Sequence, residues 1–167
     1  MWASQFPEYY SASTWLELAA GDVVQLELLT SSDRESRVGI QNEPEGIEGL
    51  TRIALYRKGG KLSLSRLVGA LENLGLEVVE EVPTRLANGM FIHDFGVRGP
   101  GQLGLERVGS LVVDALEAVW SGTAESDSLD RLIMSARLTH QRVAILRAYR
   151  TYWRRVMPVF TVAYVNE

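Results

Sequence analysis

Three short motifs in this 167-residue chain have residue types and spacing that could do chemistry, and each fails on its context. Gly99-Pro100-Gly101-Gln102-Leu103-Gly104 matches G-x-G-x-x-G between a predicted strand and a predicted helix, the setting of a dinucleotide site. That site also needs a second parallel strand after the helix, ending in an acid for the ribose. Here the helix leads through Ser121–Ser128 into more helix, Glu125 falls in a loop, and Pro100 removes an N–H where a phosphate wants donors. A turn is the better reading. His93-Asp94-Phe95-Gly96 contains the D-F-G triplet of kinases, but no H-R-D loop and no V-A-I-K strand accompany it. Alternation instead puts His93, Phe95 and Val97 on one face of an edge-like strand and Asp94 on the other. Gly60-Lys61 fails as a phosphate loop, because Leu62 follows it and Leu55 stands where the first glycine belongs.

Charge is the next candidate. Residues 131–155 carry seven arginines and no acid, leaving 10 basic and 21 acidic residues elsewhere, within a net charge of −4. Arginines interleaved with Tyr149, Tyr152 and Trp153 invite a nucleic-acid reading. Tyr149 and Trp153, however, fall on the helical stripe Val143, Leu146, Tyr149, Trp153 and Val156, which is expected to be buried. Arg147, Arg150 and Arg154 share a neighbouring face and are candidates for contact with the acidic remainder or with another domain. An acidic chain argues against a nucleic-acid partner. With no cysteine and only His93 and His140, thiolate and histidine-rich metal sites are excluded. No acid pair shares an apolar face, and no serine or cysteine elbow accompanies a histidine. No catalytic, cofactor-binding or metal-ligating residue is assigned.

The elements behind these motifs give the clearest signal. Arg52 to Arg57 alternates as a strand, Lys58 to Lys61 turns, and a helix opening at Leu62–Ser65 carries Leu64, Leu67, Val68, Leu71 and Leu74 on one face. Gly75 stops it. Leu76–Val82 and Met90–Val97 follow as two strands joined by a turn bearing Pro83, Asn88 and Gly89. Strand, helix, strand, strand is half of a ferredoxin-like antiparallel sandwich, which fits a regulatory or structural module. Upstream, residues 11–30 read as one or two helices, with Ser11 or Ser13 as a cap and Gly21-Asp22 as a stop and second cap. Arg37–Gln41 is a weak strand and Asn42–Gly49 a loop. Downstream, Leu105, Val108, Val112, Leu116 and Val119 form one helical face. Ser126 or Asp127 caps a short helix through Leu132, Thr139 caps the last helix, and Pro158 ends it.

Composition is that of a globular protein, 46% hydrophobic and 23% charged. No apolar run approaches a membrane span, and the N-terminus lacks the basic and apolar regions of a signal peptide, so a cytoplasmic protein without a membrane partner is expected. Phe160–Val165 is strongly apolar and Asn166-Glu167 resembles a helix start. The chain therefore reads as an excised piece of a longer one, with Met1 as an added start.

Leu55-Tyr56-Arg57-Lys58-Gly59-Gly60-Lys61-Leu62-Ser63-Leu64-Ser65 and Leu71-Glu72-Asn73-Leu74-Gly75-Leu76-Glu77-Val78 together resemble the non-catalytic N-terminal region of the large bacterial NAD-specific glutamate dehydrogenases. Phe91 to Gly96, Ala118-Val119-Trp120, Ala124 to Asp127, Leu138-Thr139 and Leu146 to Tyr152 continue the resemblance in the family's order. It covers about residues 50–155. Phe6-Pro7-Glu8-Tyr9-Tyr10 is similar too, whereas residues 22–49 match poorly. The resemblance implies a helical lead-in (1–34), an ACT-like α+β domain with helices on one face of an antiparallel sheet (35–122), and a truncated helical motif (123–167). The parent would oxidise L-glutamate with NAD, its catalytic and NAD-binding residues lying outside this segment and its partners being the parent's other domains and subunits. ACT domains typically take an amino-acid effector beside the loop between first strand and first helix. Here that loop holds Arg57, Gly59, Gly60 and Lys61, whose glycines admit a ligand and whose cations suit a carboxylate, with a plain tight turn as the alternative.

Overall fold

Arg52–Arg57 alternates in sequence yet is buried on both faces, because a second layer covers the side that alternation would leave to solvent. The computed structural model describes residues 2–43, 50–60, 62–99 and 105–156. Its strands are β1 (Ser36–Asn42), β2 (Thr51–Arg57), β3 (Glu77–Arg85) and β4 (Phe91–Arg98), all antiparallel, in the order β1-β2-β4-β3. The helices are α1 (Glu8–Ser13), α2 (Leu16–Thr30), α3 (Leu64–Asn73), α4 (Leu105–Ser121), α5 (Arg131–Ser135) and α6 (His140–Val156), with 3-10 turns at Ala3–Gln5 and Ser128–Asp130.

One face of the sheet is largely apolar. Ile53, Leu55, Phe95 and Val97 meet Leu67, Ala70 and Leu71 of α3 and Leu74 at its C-terminal end, together with Val108, Val112, Leu116 and Trp120 of α4. Gly75 takes φ +88, which glycine adopts without a Cβ penalty, so α3 ends where expected. Leu64 is exposed rather than on the buried face, because the helix begins only there. Ile133 of α5 and Val143 of α6 complete the same core. The domain and the helical segment after it are therefore packed together.

The other face carries the lead-in. Leu26 and Leu29 of α2 pack on Ala54, Tyr56 and Ile92, with Leu86 and Met90 beside them and Trp2 and Phe6 against the edge. Layers thus lie on both sides of the sheet, the ACT-like helices on one and the lead-in on the other. Gly21-Asp22 does not divide α2. The helix runs unbroken from Leu16 to Thr30, because Asp22 finds buried partners instead of capping a helix end. Neither Ser11 nor Ser13 caps a helix: α1 starts after Pro7 and α2 after Trp15.

β4 is central, not edge-like, because β1 and β3 hold the two edges. Alternation along it is as expected, with His93 and Phe95 opposite Leu55 and Ile53. β3 runs on through Pro83, which an edge strand tolerates because one side of its ladder is open. The turn to β4 closes with Gly89 at φ +86. The apolar stripe of α6 faces outward: Val143 is buried, but Tyr149 is 69% and Trp153 52% exposed. The buried positions are Val143 and Arg147, since the carboxylates that arginine needs lie beneath the helix. The glycine-rich run at 100–104, Lys61, and the apolar terminus at 160–167 lie outside the described residues.

Candidate functional site

The loop after β2 begins with Arg57, in register with Ser36 on one side and Phe91 on the other. Arg57 is half-buried, and its guanidinium has no ion-pair or hydrogen-bond partner among the described residues. Lys58 pins the base of the loop to the end of α2. Its N–H donates to Glu35 O at 3.0 Å and its Nζ to Ser32 O at 2.5 Å. A Cβ on Gly59 or Gly60 would meet nothing within 4 Å, and neither residue has left-handed backbone. Neither turn geometry nor internal packing thus demands glycine at these positions. At the far end, Ser63 precedes α3 without a side-chain cap, its Oγ lying 2.8 Å from Ser65 Oγ. An unpaired arginine and an uncapped helix N-terminus at two ends of one loop suit a carboxylate.

The second set of expected residues separates. Arg147 Nε donates to Asp127 Oδ2 at 3.0 Å and Nη2 to Asp130 Oδ1 at 2.9 Å, and Arg150 also donates to Asp127. These acids form a capping box at Ser128–Asp130, as Asp127 was expected to do for the short helix. Burial opposes the charge of Asp127, yet hydrogen bonds from Arg147, the Leu129 N–H and Arg150 hold its carboxyl below the usual range. Two of the three arginines therefore bind α6 to the turn before it. Arg154 is exposed.

A polar cluster under α2 went unread in the sequence. Tyr10 and Tyr56 both donate to Asp22, the latter at 2.6 Å, and Asp22 is only 6% exposed. Burial pushes Asp22 up to about 6 against the pull of the two hydroxyls. Nearby, the buried Arg52 donates to Asp94 Oδ2 at 2.7 Å and also to Glu80 and Glu43. Burial works against the Arg52 charge, but Asp94 and Glu80 hold it cationic, while burial raises Asp94 despite Arg52. Gly96 of the D-F-G triplet makes room here: a Cβ would lie 2.8 Å from Arg52 Nη1 and 2.9 Å from Glu80 Cγ. The available signals were an arginine at an inward strand position and an aspartate inside an apolar helix.

On the apolar face, His93 Nδ1 lies 2.9 Å from Glu81, while His93 Nε2 and Trp120 Nε1 are buried without partners among the described residues. No group of three metal-ligating side chains and no helix long and apolar enough to cross a membrane occur among the described residues.

The architecture is that of a ferredoxin-like, ACT-type α+β domain packed against a helical motif, and comparison with known families agrees. Residues 35–109 match the glutamate dehydrogenase ACT3 domain, and residues 124–167 match glutamate dehydrogenase helical motif 3. NAD-specific glutamate dehydrogenases are the similar proteins. The one from Pseudomonas aeruginosa is 37% identical over 117 residues (66% of this chain), that from Halomonas elongata 30% over 122 residues (70%), and that from Mycobacterium tuberculosis 29% over 177 aligned positions (99%). The chain belongs to the NAD-specific glutamate dehydrogenase family, as the segment holding its third ACT domain and third helical motif. It spans only 7 to 11% of the length of these relatives.

Proposed function

We propose that this chain is a non-catalytic regulatory and assembly segment of an NAD-specific glutamate dehydrogenase. The parent would convert L-glutamate, NAD and water to 2-oxoglutarate, ammonium and NADH in the cytoplasm, with NAD and the reacting groups held by other domains. The supporting observation is the shared core: Ile133 and Val143 of the helical motif lie in one cluster with Phe95 and Trp120 of the ACT-like domain. Units at 35–122 and 123–167 joined this way transmit displacement as one body, because packed cores resist continuous deformation. Residues 1–34 would serve as a lead-in clamped to the opposite face. The test is glutamate-dependent NADH formation: the isolated chain should show none, and activity there would end this reading.

A second reading rests on Arg57. Its guanidinium, without a partner among the described residues, and the uncapped start of α3 favour an amino-acid effector bound through its carboxylate, with Gly59 and Gly60 along the approach and Lys61 as the further cation expected from the sequence. Calorimetric titration with the twenty amino acids separates sensing from scaffolding. Sensing requires heat from at least one of them that Arg57→Ala or Gly60→Val abolishes, while silence across the panel leaves the scaffold.

A further inference from the structure

Two helices carry apolar stripes that remain exposed among the described residues. On α6, Ile145, Tyr149, Tyr152 and Val156 recur at helical spacing opposite the docked side, and each is more than half exposed. On α2, Leu16, Ala20, Val24 and Leu28 form a similar row opposite the buried Leu18, Asp22, Leu26 and Leu29. At 1.5 Å per residue the rows are about 16 and 18 Å long. Exposed stripes of this extent mark interaction surfaces.

The two stripes match in charge and in shape. Arg142 and Arg155 stand at the ends of the α6 row, while Glu17 and Glu27 stand at the ends of the α2 row, all four exposed. No acid occurs anywhere in residues 131–155. Pairing α6 with α6 would thus set arginine against arginine, and pairing α2 with α2 would set glutamate against glutamate. Beside the α2 row lies an apolar groove lined by Phe6, Tyr10, Ala19, Ala20 and Val23. Small side chains along a groove receive bulky ones, and α6 presents Tyr149, Tyr152 and Trp153, the residue types that most often anchor interfaces. Within one molecule the rows cannot meet, because α2 lies on one face of the sheet and α6 packs beyond α4 on the other.

We infer that α6 of one copy docks on α2 of a second copy, antiparallel, with Ile145 against Leu28, Tyr149 against Val24, Tyr152 against Ala20 and Val156 against Leu16. This register brings Arg155 to Glu17, and opposed helix dipoles favour it. It deepens the assembly role proposed above and rests on that reading. The two fail separately, since NADH formation by the isolated chain bears on one and the association state on the other.

Sedimentation of the 167-residue chain should show self-association. Glu17→Arg and Arg155→Glu should each weaken it by about tenfold or more, and the two together should restore it, as exchanged partners do. The chain has no native cysteine, so Leu28→Cys with Ile145→Cys should give an intermolecular disulfide on mild oxidation, whereas Leu28→Cys with Val156→Cys should not. A folded chain that stays monomeric at every concentration, with no crosslink, overturns the contact and gives these faces to other domains of the parent. Association indifferent to both charge changes overturns it equally, and crosslinking of only the 28–156 pair overturns the antiparallel register.

Discussion

Asp22 gives the sharpest test of the reasoning about the lead-in. Burial raises its pKa from the ordinary 3.8 to about 6, so the folded chain holds this proton to higher pH than the unfolded chain does. A group that binds its proton more tightly when folded weakens the fold as pH rises through the interval, and the whole cost is present above about 6. A shift of roughly two units at 1.36 kcal/mol each corresponds to about 3 kcal/mol. Asp22→Asn preserves shape, keeps an oxygen acceptor for one of the two tyrosines, offers the other an N–H donor to its hydroxyl oxygen, and does not titrate. Wild type and variant should therefore be nearly equal in urea-unfolding free energy at pH 4, with the variant gaining about 3 kcal/mol relative to wild type by pH 7. Far-UV circular dichroism of urea titrations at pH 4, 5, 6 and 7 measures the difference, which cancels the titration of Asp94 and other acids to first order. A difference flat with pH to within about 0.5 kcal/mol refutes the burial argument. A difference of opposite sign would mean that the two tyrosine hydroxyls outweigh desolvation.

Other expectations follow from the same geometry. Gly96→Ala forces a methyl to within 3.0 Å of Arg52, Glu80 and Leu50, and should cost about 1–3 kcal/mol in urea unfolding. Gly60→Val, in open space, should change stability by less than about 0.5 kcal/mol, so any loss of amino-acid binding there reports on the site and not on the fold. Arg147→Ala leaves the buried Asp130 without its cation and should destabilise by roughly 3 kcal/mol, with faster hydrogen exchange along α6. Asp127 sits below the usual carboxylate range, so its contribution is present above that range and lost as pH falls through it. Asp127→Asn should remove that acid-side slope in a pH titration of unfolding.

The β2–α3–β3–β4 unit was legible because local signals agreed with one another. Two strand periods flank a helix period, and the one residue free to take φ +88 stands at the end of that helix. Pattern failed where polar groups do the work of a core. Gly21-Asp22 has the composition of a helix stop, and only the arrival of Tyr10 and Tyr56 from other elements lets the aspartate stay mid-helix. On α6 the period was right and the face was wrong. Apolar side chains were assigned inward, yet Asp127 and Asp130 lie just upstream and draw Arg147 into the interior. A charge pair twenty residues apart leaves no periodic trace. Of the candidate site, the loop position was legible from its glycines, whereas the lack of a partner for Arg57 among the described residues appears only when their acids are located in space.

The contrast between the two faces of the sheet bears on which layer is held more weakly. Against α3 and α4 the contact is predominantly apolar and set by shape, with the His93–Glu81 pair as a polar exception. Against α1 and α2 it mixes Leu26 and Leu29 with a carboxylate, two phenols and an arginine among acids. The apolar contacts hold the lead-in, while the charges make its hold depend on protonation and on what neutralises Asp22 and Asp94. Low-stability elements are the ones that move in regulation. The lead-in is thus the layer most readily released, and β1 remains behind because its seven register pairs with β2 do not involve those charges except at Arg52. Limited proteolysis at pH 7 should cut first in residues 2–15, ahead of any cut within β1 or β2, and Asp22→Asn should slow that first cut. Early cleavage within the sheet strands would show instead that the polar face is the firmer of the two.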